Sequence, residues 1–283
     1  MRDAAYVHQE PYVPNDERGR AFLDAGTEIA GSTTGAVAGL FVGGPAGAVA
    51  GAALGPAAAH VLRWVTSEVG DRLMDRRGRA RAMAAAIYAG ERLESLRSEG
   101  AEIRRDGFFD EAPDGRNAAR EVAEGVLLTA RDAFEERKVR YIGYLFANVA
   151  VYDEIDAGLA ALMLGRAEAL TWRQYVLLAA VAHAEEQPLP DGELSDDSDA
   201  WHAWGVRREL RDLYDAGYLY GGSKETPRMG LRYPDLTLSA LRLAHQGVLL
   251  HDLLSLDLVP DKDVAEVRNG LRLPATPKPE EAP

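Results

Sequence analysis

The chain has 283 residues, 47% hydrophobic and 27% charged, a globular composition for one large domain or two ordinary ones. Its formal net charge of −13 excludes a general binder of nucleic-acid backbone, which needs clustered Lys and Arg, and leaves only a local basic patch for that role. The absence of cysteine excludes disulfides, thiolate zinc sites and a cysteine nucleophile, and fits a reducing compartment.

Aromatics are 7% of the chain, so its apolar content is mostly Ala, Leu and Val, a helix-favouring mixture. The predicted fold class is mainly α. In chain order, residues 1–20 carry Pro11, Pro14 and many charges and read as a flexible arm. That stretch lacks the basic-then-apolar pattern of a secretory signal peptide. Asn15 suits the cap of a short helix through Ala21, Phe22 and Ala25.

Residues 21–64 are read as a glycine-zipper hydrophobic hairpin. No Asp, Glu, Lys or Arg occurs from Ile29 to Leu62. Within that run Gly31, Gly35, Gly39, Gly43, Gly47, Gly51 and Gly55 follow one another at steps of four. Residues four apart share a helix face, and small residues there let two backbones approach closely. Each step overshoots a full turn by about 40°, so a single straight helix would wind the ridge away from any one partner. Gly43, Gly44 and Pro45 break the run, giving two facing helices over about 27–43 and 45–62. Two placements fit this pattern, a hairpin in a membrane and a buried Ala/Gly hairpin in a soluble core. The missing charges and the Arg63–Trp64 exit favour the first, whereas the scarcity of Leu, Ile and Phe favours the second.

Residues 65–168 are expected to form a helical bundle. They open with a basic cluster, Arg72, Arg76, Arg77, Arg79 and Arg81, suited to anionic lipid headgroups if the hairpin inserts. Without insertion, the same residues read as a solvated face pairing with Asp71 and Asp75. The following AMAAAIYAGERLESLRSEG is helical, with Gly100 as its stop, and Pro113, Asp114 and Gly115 break the chain. Residues 116–151 read as one long helix with the apolar stripe Val122, Val126, Leu127, Ala130, Phe134, Tyr141, Leu145 and Val149. Another helix is expected from about Asp153 to Glu168.

Residues 169–258 are expected to form a small winged-helix-like module. Thr171 and Trp172 start a helix ending near Ala184, an acidic loop covers Glu185–Asp199, and a helix runs from Trp201 to Tyr218. Gly221, Gly222, Pro227 and Pro234 suggest a β-hairpin before a last long helix, Leu238–Leu256. In a winged helix the equivalent of 201–218 docks in a DNA groove. Here Arg207, Arg208 and Arg211 are the candidate nucleic-acid or partner contacts. Residues Glu209, Asp212 and Asp215 and the acidic loop oppose phosphate, so a protein-interaction or packing role is favoured over DNA reading. Residues 259–283 read as an extended, Pro-rich tail.

For catalysis, the densest polar cluster is His183, Glu185, Glu186, Asp191, Glu193, Asp196, Asp197, Asp199 and His202. It lacks the ligand spacing of an EF-hand loop and reads as a solvated loop. No serine-hydrolase, zinc-protease, P-loop or dinucleotide fingerprint occurs. The expectation is a protein that is not an enzyme, with no cofactor and no metal.

The segments EERKVRYIGYLFANVAVYDEID, LTWRQYVLLAAVAH, RRELRDLYDAGYLYGG and LSALRLAHQGVLLHDL together resemble the Abi-alpha type of bacterial abortive-infection proteins. The resemblance covers about residues 130–256 and rests on pattern, with departures in the acidic loop and in LSALRLAHQG. It implies a phage-defence role by membrane perturbation and carries over no functional residue. The expected protein is therefore a membrane-associating helical effector, cytoplasmic or at the inner membrane, self-associating through its glycine ladder. The alternatives are a soluble winged-helix regulator that dimerises through the hairpin and a self-assembling structural protein.

Overall fold

The computed structural model describes residues 76–110, 117–192, 194, 201–221 and 236–272. The expected arm at 1–20 and glycine hairpin at 21–64 lie outside the described residues, as does most of the expected β-hairpin, at 222–235. The described part is mainly helical, with eight α-helices and two short strands.

An alanine-rich helix forms the middle of the fold. Helix α1, Arg76–Ser98, is buried along the unbroken run Ala82–Gly90. A helix covered on all faces sits inside a bundle. Its small side chains allow close neighbours, and the closest approach is Gly143 of α3 (Arg137–Val149). A Cβ added at Gly143 would lie 2.4 Å from the Ala85 carbonyl oxygen, so only glycine fits there.

Helix α2, Ala118–Asp132, starts where Asn117 accepts a 2.7 Å hydrogen bond from the Arg120 amide. Its stripe of Val122, Val126, Leu127 and Ala130 is buried as the periodicity predicts. The expected single helix over 116–151 is, however, two helices. The chain breaks at Ala133–Glu136, and Phe134, expected on the apolar stripe, is 95% exposed in that break.

Helix α4, Ala157–Ala169, begins later than expected because Asp156 is its cap, accepting from the Leu159 amide at 2.7 Å. Helix α5, Trp172–Ala182, starts where expected. Thr171 and Gln174 form a reciprocal capping box that satisfies two otherwise unpaired amides. Helix α6, Trp201–Asp215, ends at Gly217, whose φ of +78° suits the turn into β1, Leu219–Tyr220.

Strand β1 pairs antiparallel with β2, Arg242–Leu243, placing Leu219 opposite Leu243. The expected long helix over Leu238–Leu256 is therefore interrupted. A short 3-10 turn at Leu238–Ala240 and β2 precede helix α7, His245–Leu254, and a second 3-10 turn follows at Leu256–Leu258. The left-handed Ser255, φ +49°, ends α7. The expected extended tail from 259 is also corrected. Residues Asp261–Leu271 form helix α8, with Val264, Val267 and Leu271 buried and Gly270 set against Val206 of α6.

The larger hydrophobic cluster holds residues from Ala82 to Leu271, and a smaller one joins Met83, Leu93, Leu96, Ala147 and Ala150. Two buried cations tie the helix ends to this core. The Arg104 guanidinium donates to the carbonyls of Val149, Tyr152, Asp153 and Ile155, closing the end of α3 and the turn after it. The Lys138 ammonium donates to the Glu168 carbonyl at 2.7 Å and to the Leu170 carbonyl, closing the end of α4.

Candidate functional site

The α2–α3 break is where the residues around the basic cluster meet the rest of the fold. It contains no Gly or Pro, and its two glutamates hold distant partners. Glu136 accepts from Arg77 Nε at 2.8 Å and from Arg81 Nη2 at 3.3 Å. Those guanidinium groups hold the Glu136 carboxyl below the usual carboxylate range. Glu135 accepts from the backbone N–H of Trp172 at 2.7 Å, at the start of α5.

From there a polar knot reaches α6. Glu209 accepts from Thr171 Oγ1 at 2.6 Å and from Arg173 Nη1 at 3.0 Å. Arg137 lies 5.8 Å from the Trp172 ring centroid and 3.4 Å from Asp263 of α8. An aromatic residue adjoins each arm of the knot in sequence: Phe134 beside Glu135, Trp172 beside Arg173, and Trp204 beside Gly205, against which the Arg173 guanidinium packs.

The sequence-predicted site residues divide as follows. The seven ladder glycines and Arg72 lie outside the described residues, and so does the side chain of Arg76. Arg77 is 71% exposed, whereas Arg81 is turned inward, at 14%, and Arg79 is half-buried. The cluster is thus not one uniform lipid-facing row: Arg81 faces Glu136 and the core.

On α6 the correction is larger. Arg207 is 1% exposed and donates to the Arg272 carbonyl at 2.8 Å. Arg211 is buried as well. Both are buried away from any nucleic acid or partner, Arg207 against the end of α8. Arg208 remains at the surface, paired with Asp212 at 3.0 Å.

Of the acidic loop, Glu185, Glu186 and Asp191 are exposed, while Glu193, Asp196, Asp197 and Asp199 lie outside the described residues. Among the described residues no group of three His, Asp or Glu could hold a metal ion. His183 meets His251 edge to face at 6.3 Å between centroids, and His251 Nδ1 lies 3.0 Å from Asp252. Two aromatic residues of α6 stand at its surface. Trp201 is 83% exposed on α6 and stands perpendicular to Trp204 at 6.0 Å. Their spacing of three on an amphipathic helix, outside the buried stripe of Val206, Leu210 and Leu213, was the available signal. Among the described residues no helix is long and apolar enough to cross a membrane. Comparison with family models, curated proteins and solved structures finds no match to this chain.

Proposed function

We propose that the chain is a non-enzymatic, membrane-associating helical effector. In this reading the glycine-laddered stretch associates with membrane and with itself, and the helical body docks a partner. The carrying observation is seven glycines at steps of four within a stretch free of charged residues from Ile29 to Leu62. Close backbone packing through such ridges stabilises helix pairs where hydrophobic exclusion between helices is absent. Arg77 and Arg81 pair with Glu136, linking the region after that stretch to the helical body. The resemblance to Abi-alpha abortive-infection proteins supports a phage-defence role by membrane perturbation, and the expected location is cytoplasmic or at the inner membrane.

A DNA-reading role is the weaker alternative. Two of its three proposed contacts, Arg207 and Arg211, are buried. The winged-helix comparison therefore serves as a description of element order and not of a DNA-binding face. A self-assembling structural protein is the other alternative, and it shares the ladder.

Fractionation with carbonate and high-salt washes separates these readings. The effector is expected to stay in the washed membrane pellet. There, Gly35→Leu with Gly39→Leu is expected to abolish the cross-linked oligomers of the native chain. Recovery of the native chain wholly in the supernatant as a monodisperse species would overturn the membrane reading. A defined large particle formed without lipid would point to assembly.

A further inference from the structure

Two tryptophans in perpendicular contact, one of them 83% exposed, form an apolar corner on α6. Exposed aromatic corners of this kind suit polyproline II segments, whose rigid, extended backbone presents proline rings at low ordering cost.

The described residues end close to this corner. Arg207 Nη2 holds the Arg272 carbonyl at 2.8 Å, and Gly270 rests on Val206, so α8 ends against α6 within about one helical turn of Trp204. The sequence then reads Leu273-Pro274-Ala275-Thr276-Pro277-Lys278-Pro279. The stretch from Arg272 to Pro279 spans about 22 Å as polyproline II, while Trp201 and Arg207 lie only about 9 Å apart along α6.

We infer that the Trp201–Trp204 corner is a docking surface for a polyproline II segment, and that its occupant is the Pro274–Pro279 stretch of the same chain. Tethering makes the encounter intramolecular, with an effective concentration of order millimolar for a short linker. A proline-rich segment of a partner would then have to displace the chain's own. This surface does not depend on the membrane reading, and its test is separate from fractionation.

The test follows indole N–H resonances of the full chain labelled with 15N-tryptophan, with Trp201 and Trp204 assigned by W201F and W204F. Pro274→Ala/Pro277→Ala/Pro279→Ala is expected to shift the Trp201 and Trp204 resonances and leave those of Trp64 and Trp172 in place. Added peptide of sequence LPATPKPEEAP is expected to return them saturably toward their native positions. Unmoved Trp201 and Trp204 resonances in the triple variant would overturn the inference. So would native positions that change on dilution, which would assign the occupant to a second copy. A shift of the native resonances on adding anionic vesicles, without one in the triple variant, would assign the corner to lipid and equally overturn it.

Discussion

Replacing Arg104 with Leu tests whether a buried cation closes the end of α3. The guanidinium serves four backbone carbonyls, but Tyr152 and Asp153 lie in exposed turn residues that water can reach. The carbonyls of Val149 and Ile155 are the buried ones. Losing charge-assisted bonds at these two sites costs about 1.5–2 kcal/mol each. The lost stacking of the guanidinium over Phe108, at 4.4 Å, adds about 0.5–1 kcal/mol. Leucine no longer pays to desolvate a charge, which offsets part of this. The net expectation is a loss of about 3 kcal/mol, read as a Tm lower by roughly 6–12 °C for a body of this size. Urea denaturation followed by far-UV circular dichroism supplies the free energy. The control is Arg105→Leu, an exposed neighbour paired with Glu102 three residues back, expected to stay within about 0.5 kcal/mol of the native chain. If Arg104→Leu matched that control, the carbonyl cluster would be a consequence of the turn and not its cause.

Two further expectations concern other parts of the fold. Gly143→Ala forces a Cβ against the Ala85 carbonyl and should cost about 1–3 kcal/mol, whereas Gly165→Ala, with nothing within 4 Å, should stabilise α4 by about 0.5–1 kcal/mol. Urea midpoints of the two variants should therefore move in opposite directions, and a shared direction would refute the close α1–α3 approach. Arg104 holds the Asp106 carboxyl at about 2, below its ordinary 3.8. An acid held low in the fold contributes stability above its unfolded value and loses it as pH falls through the folded one. Asp106→Asn should accordingly flatten the fall in Tm between pH 3.8 and about 2, and an unchanged acid limb would dissociate the carboxyl from the turn.

Much of this fold could be read locally. The capping box of Thr171 and Gln174, the buried stripe of α2 and the burial of the alanine run all follow from side-chain chemistry within one or two turns. Helix α8 was legible too, since Asp261 and Asp263 follow Pro260 and Val264, Val267 and Leu271 recur at helical spacing. The proline-rich sequence beyond obscured it. The break at Ala133–Glu136 was not legible. AFEERK is compatible with helix throughout, and the break is held by Glu135 and Glu136 reaching Trp172, Arg77 and Arg81, 37 to 59 residues away.

The same division holds for function. The sequence by itself determined the helical class, the freedom from cysteine chemistry, the net charge of −13 and the glycine ladder with its implied close packing. These are properties of composition and of period, which every segment carries in its own residues. Which side of α6 meets the world was decided only in the tertiary structure. The end of α8 holds Arg207, Arg211 is buried as well, and Trp201 and Trp204 stay outside, so the helix offers aromatic rings where its sequence offers arginines. An amphipathic period marks the face that is buried first, but the second face is assigned by whichever element packs on it, and α8 begins 46 residues after α6 ends.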